Sequence, residues 1–250
     1  MNKKSIHRSF VIVDIERYGR RSDADQRWLR RQMYDVLQTA LDDSGIEWNS
    51  CAAADRGDSV MLLVPPDVPK VDITDAFVDR LDRELARYAR RAAEPVRMRM
   101  RLALHFGEVS EDERGWVGSD LNTACRLADL QAARDALTAA PDANLVVVVS
   151  EPWYRSVVNQ DAVLVSHFGF REIPFEAKEV SDRAWLHVRE AQRSGQRESE
   201  DPRAPASSPA GPIAAPRIDA VGFVFSGPVE MRDAIAGDQH NYYDRQEGQS

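Results

Sequence analysis

Apolar and polar positions change rhythm several times along the chain, and each change marks an element. The run "SFVIVDI" (9–15) is apolar, β-branched and closed by an acid, as expected of a buried strand with a carboxylate at its C-terminal edge. Beyond a polar turn, Leu29, Met33, Val36, Leu37, Ala40 and Leu41 recur at helical spacing and predict an amphipathic helix that stops near Gly45. "EWNSCAAADRGDSVMLLVPP" (47–66) predicts two strands joined by a tight turn at "DRGD", with Gly57 as the turn residue and Pro65 and Pro66 ending the second strand.

Phe77, Leu81, Leu85 and Tyr88 predict a second amphipathic helix. "VRMRMRLALHFGEV" (96–109) alternates arginine with apolar residues as a half-buried strand does, and its arginines are read as a solvated face. "GWVGSDLNTACRL" (115–127) reads as a turn and then a helix, and "NLVVVVS" (144–150) as a fully apolar strand. "FREIPFEAKEVSDRAWLHV" (170–188) has the rhythm of a closing pair of strands. From about 6 to 189 the order is β-α-β-β-α-β-α-β plus a terminal β region. That order predicts an α+β sandwich, a mainly antiparallel sheet with helices on one face.

The composition shifts at Glu190. Residues 190–216 are rich in Pro, Ala, Ser and charge, so they read as a flexible linker after a domain spanning 1–189. The tail, 217–250, holds "IDAVGFVFSGPVEM" and the polar, aromatic "GDQHNYYDRQ", which suit an interaction segment, one that docks back on the domain, or equally a disordered terminus.

Charge narrows the function. The 250 residues carry a net charge of -8 with a pI near 5.2 and no basic patch, which argues against a nucleic-acid surface. Lysine occurs only at Lys3, Lys4, Lys70 and Lys178, so arginine carries nearly all the positive charge. Cys51 and Cys125 are too few for a disulfide framework and lack metal-type spacing, which fits a reducing cytoplasm. The basic N-terminus leads into an apolar run that is short, broken by Asp14 and without a cleavage site, and no run reaches membrane-span length. A soluble, cytoplasmic protein is expected. Gly-rich phosphate loops with lysine, zinc spacings and serine-nucleophile motifs are absent from the sequence.

Two acids stand where a polyphosphate site needs them. Asp14 closes the first strand and Asp58 lies in the hairpin turn, so neighbouring strands would bring both carboxylates to one sheet edge. Paired hard oxygens bind Mg2+ or Mn2+, and two such ions roughly 3.5–4 Å apart activate an attacking oxygen and neutralise a leaving one. Asn122 and Arg126, four residues apart, share a helix face and present an amide and a guanidinium together.

These pieces together resemble the class III nucleotidyl cyclase domain, the adenylate and guanylate cyclase family. "FVIVDIERYG" is similar to that family's first metal strand, "RGDSVMLLV" to its G-D hairpin, "RLALHFGEV" to its R-x-G-I-H-x-G-x-V strand and "VGSDLNTACRLA" to its G-x-x-V-N-x-A-A-R-L helix. The resemblance covers about residues 6–189 and implies a ferredoxin-like cyclase sandwich. It makes Asp14 and Asp58 ligands of two Mg2+ or Mn2+ ions, with the Ile15 carbonyl as an additional ligand. Backbone amides from Ile15 through Glu16, Arg17, Tyr18 and Gly19 would meet the terminal phosphates. Asn122 would hold the ribose, and Arg126 would neutralise charge on the α-phosphate as the ribose 3'-oxygen attacks. It also implies a head-to-tail homodimer with two composite sites for a nucleoside triphosphate.

Where purine-specific members of that family carry base-reading side chains, the resemblance places Ala54 and Gly115, neither of which can contact a base edge. Asp55, Arg56, Asp112 and Glu113 lie nearby as substitutes, and a pyrimidine triphosphate is a candidate substrate. The competing reading is a catalytically silent cyclase-like domain that binds nucleotide or protein and signals through its tail. His105 reads as structural, Cys125 as a small packed residue, Trp116 as packing, and Lys178 as a salt-bridge or phosphate contact.

Overall fold

The structure is a computed structural model that describes residues 4–160, 169–177 and 180–189. The linker and tail assigned above lie outside the described residues, as does Lys178.

The chain begins with β1 (Ile6–Ile15), a 3-10 turn at Tyr18–Arg20 and α1 (Asp23–Asp43). The hairpin β2 (Ala52–Asp55) and β3 (Ser59–Val64) follows, then α2 (Lys70–Asp72), a π turn (Ile73–Phe77) and α3 (Val78–Ala89). Strand β4 (Met100–Asp112) turns back through the short β5 (Gly115–Val117) into α4 (Ser119–Ala128) and α5 (Gln131–Ala139). Strand β6 (Leu145–Ser150), α6 (Glu151–Trp153) with its π turn (Tyr154–Val158), and the hairpin β7 (Arg171–Ala177) and β8 (Val180–Arg189) complete the unit.

The sheet runs β2-β3-β1-β4-β6-β8-β7, with β5 paired to β4. Its first four strands, with α1 and α3, form the expected ferredoxin-like β-α-β-β-α-β core. Every pairing is antiparallel except β4 with β6, a parallel pair that requires the crossover supplied by α4 and α5.

Alternation along β1 shows where the helices sit. Val11, Val13 and Ile15 enter a core with Leu29, Met33 and Leu37 of α1 and Leu81 and Leu85 of α3. Phe10 and Ile12 enter a second core with Leu121, Ala124 and Leu127 of α4 and Leu137 of α5. Helices therefore cover both faces, correcting the expectation of one. Burial on two sides also explains why β1 and β6 read as unbroken apolar runs.

The arginines leading into β4 are corrected for the same reason. Arg99 and Arg101 are not a solvated face: Arg101 is 7% exposed, and Arg99 donates to the carbonyls of Ala140, Pro141 and Ala143 where α5 ends. Among the described residues, no helix is long and apolar enough to cross a membrane.

Candidate active site

Strand β1 carries Asp14 to its C-terminal edge, where it faces Ser59 on β3 and Arg101 on β4. The adjoining hairpin turn is fixed by Gly57, whose φ of +89° suits glycine and whose N–H donates to Asp55 Oδ1 at 2.8 Å. Asp58 follows, and its carbonyl accepts the Ile15 N–H at 3.0 Å. Both acids thus stand at one edge of the sheet.

A cavity of about 430 Å³ opens there, lined by the segment from Ile15 to Arg20, by Asp58 and Arg101, and by Arg134 and Thr138 of α5. Asp14 adjoins it through an ion pair between its Oδ1 and the Arg101 guanidinium. Burial pushes the Asp14 carboxyl above its ordinary range against the pull of Arg101; the Asp58 charge adds to the rise and Arg134 opposes it. Among the described residues, neither the second Asp14 oxygen nor the Asp58 carboxylate has a hydrogen-bond partner. No cluster of three or more His, Cys, Asp or Glu side chains is placed to hold a metal among those residues. One free Asp14 oxygen and the free Asp58 carboxylate beside an open cavity suit a hard divalent cation that takes its other ligands from water and phosphate.

The segment after β1 is held from below. The Glu16 N–H donates to the Arg99 carbonyl at 2.9 Å, and both Glu16 oxygens accept from Arg99 at 2.8 Å. Glu16 is therefore an anchor, and the expected phosphate donors reduce to the N–H groups of Arg17, Tyr18 and Gly19, which meet no acceptor among the described residues. Arg17 has a φ of +54°, the left-handed region that a non-glycine residue enters at a cost. The Tyr18 hydroxyl donates to the Gln26 carbonyl at 3.0 Å and ties the segment to α1.

Helix α4 is seated by close backbone approach: a Cβ on Gly107 would lie 2.0 Å from Asp120 Oδ2, and one on Gly118 would lie 2.8 Å from the Glu108 carbonyl. Leu121, Ala124 and Leu127 face the sheet, leaving Asn122 and Arg126 exposed on the outer side. Neither side chain has a partner among the described residues, and neither lines the cavity beside Asp14 and Asp58.

The base-reading positions also lie away from that cavity. Ala54 packs its methyl against the α4 core, Gly115 opens β5 opposite Asp112, and Arg56 is exposed in the hairpin turn. Asp55 is unavailable as a substitute, because Arg30 and Tyr34 hold its Oδ2 at 2.6 Å. His105 is buried, with Nδ1 2.7 Å from Ser150 Oγ, and burial lowers its pKa. Burial raises the Cys125 thiol, with the nearby Arg56 charge opposing, and Trp116 packs against the α4 core.

The pattern of the sequence did not reveal Arg99, Arg101 and Arg134 as parts of this region. The signal for Arg99 and Arg101 was the alternating arginine leading into β4, whose Arg101 stands opposite Asp14 of β1; Arg134 on α5 had none.

No protein-family model matches the sequence, and neither does any curated protein sequence. Solved structures do match. The guanylyl cyclase Cya2 aligns with a TM-score of 0.53 at 11% identity, over 75% of this chain and 93% of that one. An adenylate/guanylate cyclase/hydrolase from Silicibacter pomeroyi aligns with a TM-score of 0.53 at 16% identity, over 76% and 100% of the two chains. A bacterial light-regulated adenylyl cyclase aligns with a TM-score of 0.52 at 14% identity, over 76% and 93%. The chain has the fold of the class III adenylyl and guanylyl cyclase catalytic domains, in a divergent sequence.

Proposed function

We propose that the chain is a nucleotidyl cyclase that converts a nucleoside triphosphate to a 3',5'-cyclic monophosphate and pyrophosphate at two composite sites of a homodimer. One observation carries this reading: the candidate residues fall into two separate half-sites. Asp14 and Asp58 adjoin one cavity, whereas Asn122 and Arg126 stand exposed and unpartnered on α4. A second copy related by a two-fold axis would bring α4 of each chain to the acids of the other, completing both sites at once.

In that assembly the free Asp14 oxygen, Asp58 and the Ile15 carbonyl would hold Mg2+ or Mn2+. Ions held there would supply Lewis-acid stabilisation of the phosphates and would ease loss of the ribose 3'-hydroxyl proton to water. The N–H groups of Arg17, Tyr18 and Gly19 orient the terminal phosphate, and Arg101 supplies positive charge beside it. Asn122 fixes the ribose so that its 3'-oxygen is in line with the α-phosphorus. The new 3'-oxygen bond to that phosphorus forms as the bond to the bridging oxygen breaks, and Arg126 meets the charge that develops there. With no side chain at Gly115 and only a packed methyl at Ala54, the base is not read as adenine or guanine ordinarily is, and CTP or UTP is a candidate substrate.

The test is incubation with Mn2+ and ATP, GTP, CTP or UTP separately, with products resolved by mass spectrometry. One cyclic monophosphate, lost in Asp14→Ala and in Arg126→Ala, is expected. A second reading, a silent nucleotide- or protein-binding domain signalling through residues 217–250, is favoured by one observation, the commitment of an Asp14 oxygen to Arg101. Nucleotide-dependent thermal stabilisation without any product would select it.

A further inference from the structure

The helix over the cavity beside Asp14 and Asp58 carries a cation that has no part in the mechanism above. Arg134 and Thr138 lie one turn apart on α5, on the same side of the helix, and both line the cavity that Asp58, Arg101 and the Ile15–Arg20 segment share. Arg99, Arg101 and Arg134 are held very differently. Arg99 is locked by Glu16 and by the carbonyls that follow α5, and Arg101 is buried on Asp14. Among the described residues Arg134 pairs only with Asp129 at the C-terminal end of α4, and the two side chains are 39% and 71% exposed. Such an open pair stabilises a fold very little, so exchanging the partner costs little. Thr138 is exposed, with no partner among the described residues.

We propose that Arg134, with Thr138, binds the terminal phosphates of the substrate, contributed by the same chain as Asp14 and Asp58. Arg134 leaves Asp129 when the triphosphate enters and places its planar guanidinium on two phosphate oxygens, while the Thr138 hydroxyl donates beside it. Arg101 already shares its charge with Asp14, so Arg134 adds a cation to those of Arg17 and Arg20 on the cavity wall that a triphosphate would meet. The assignment rests on the cavity being the triphosphate site.

Because this half-site belongs to one chain, inorganic tripolyphosphate is a sufficient probe. It is titrated calorimetrically into the full-length protein in the presence of Mg2+, for the wild type and for Arg134→Ala, Arg134→Lys and Asp129→Asn, with thermal unfolding of each in parallel. Arg134→Ala is expected to bind about tenfold more weakly or worse, at unchanged thermal stability. Arg134→Lys retains part of the affinity, and Asp129→Asn, which frees the guanidinium, binds as tightly as the wild type or more so. Wild-type affinity in Arg134→Ala overturns the assignment, as does equal weakening in Arg134→Ala and Asp129→Asn, because the pair would then serve the fold. A wild type that binds no tripolyphosphate overturns the triphosphate reading of the cavity and the assignment with it.

Discussion

Asp14 and Arg101 stand directly opposite each other on β1 and β4 and join their side chains across the ladder. Only 17% and 9% of those side chains reach solvent, so removing either partner strands a charge with little water to receive it. Arg101→Ala should therefore cost about 3 kcal/mol in urea unfolding. Asp14→Ala/Arg101→Ala should cost less than the sum of the single variants, since the second deletion removes the charge stranded by the first.

The same pair shows how far the sequence could be read. The strand ending in Asp14, the Gly57 turn before Asp58 and the face shared by Asn122 and Arg126 were legible, because each depends on local periodicity or turn chemistry. Arg99 and Arg101 were not. Strand alternation shows which residues share a face, and the choice between solvent and protein for that face depends on a covering element. That element is α5, whose buried residues are Ala133, Ala136 and Leu137, too small an apolar stripe to separate it from α4 by pattern. With α5 unseen, its face of the sheet looked open and the arginines looked solvated. The three-residue β5 and the turns after β6 were missed for a simpler reason, being too short for a pattern to repeat more than once or twice.

Gly107 places α4, and with it Asn122 and Arg126. A Cβ there would meet Asp120 Oδ2 at 2.0 Å, and that oxygen accepts the Glu108 N–H at 2.8 Å. Gly107→Ala should displace the start of α4 and destabilise the protein by about 1–3 kcal/mol. The double variant Gly107→Ala/Asp120→Ala should have a higher Tm than Gly107→Ala alone, because the clash is with that one side chain.

Asp55 gives a pH signature on the opposite side of the hairpin. Desolvation raises its pKa, but hydrogen bonds from Tyr34, the Gly57 amide and Arg30 outweigh it and hold the carboxyl below its ordinary 3.8. A depressed carboxyl stabilises the fold above its unfolded pKa, and that contribution is lost as pH falls through the folded value. The stability gap between wild type and Asp55→Asn should be widest near neutrality and should close below about pH 4. Equilibrium unfolding at several pH values checks this. Tyr34 is pushed up to about 12, by burial first and then by Asp55, so its phenol stays neutral across that range.

The central claim is that each active site draws its acids from one chain and its α4 residues from another. The most direct measurement mixes Asp14→Ala with Arg126→Ala, each folded and inactive alone, and assays cyclic nucleotide formation on the triphosphate that the wild type uses. Random reassortment should restore about a quarter of wild-type activity, because half the dimers are mixed and each of those holds one complete site. Activity in either variant alone, or none in a mixture shown to contain the mixed dimer, would contradict the account.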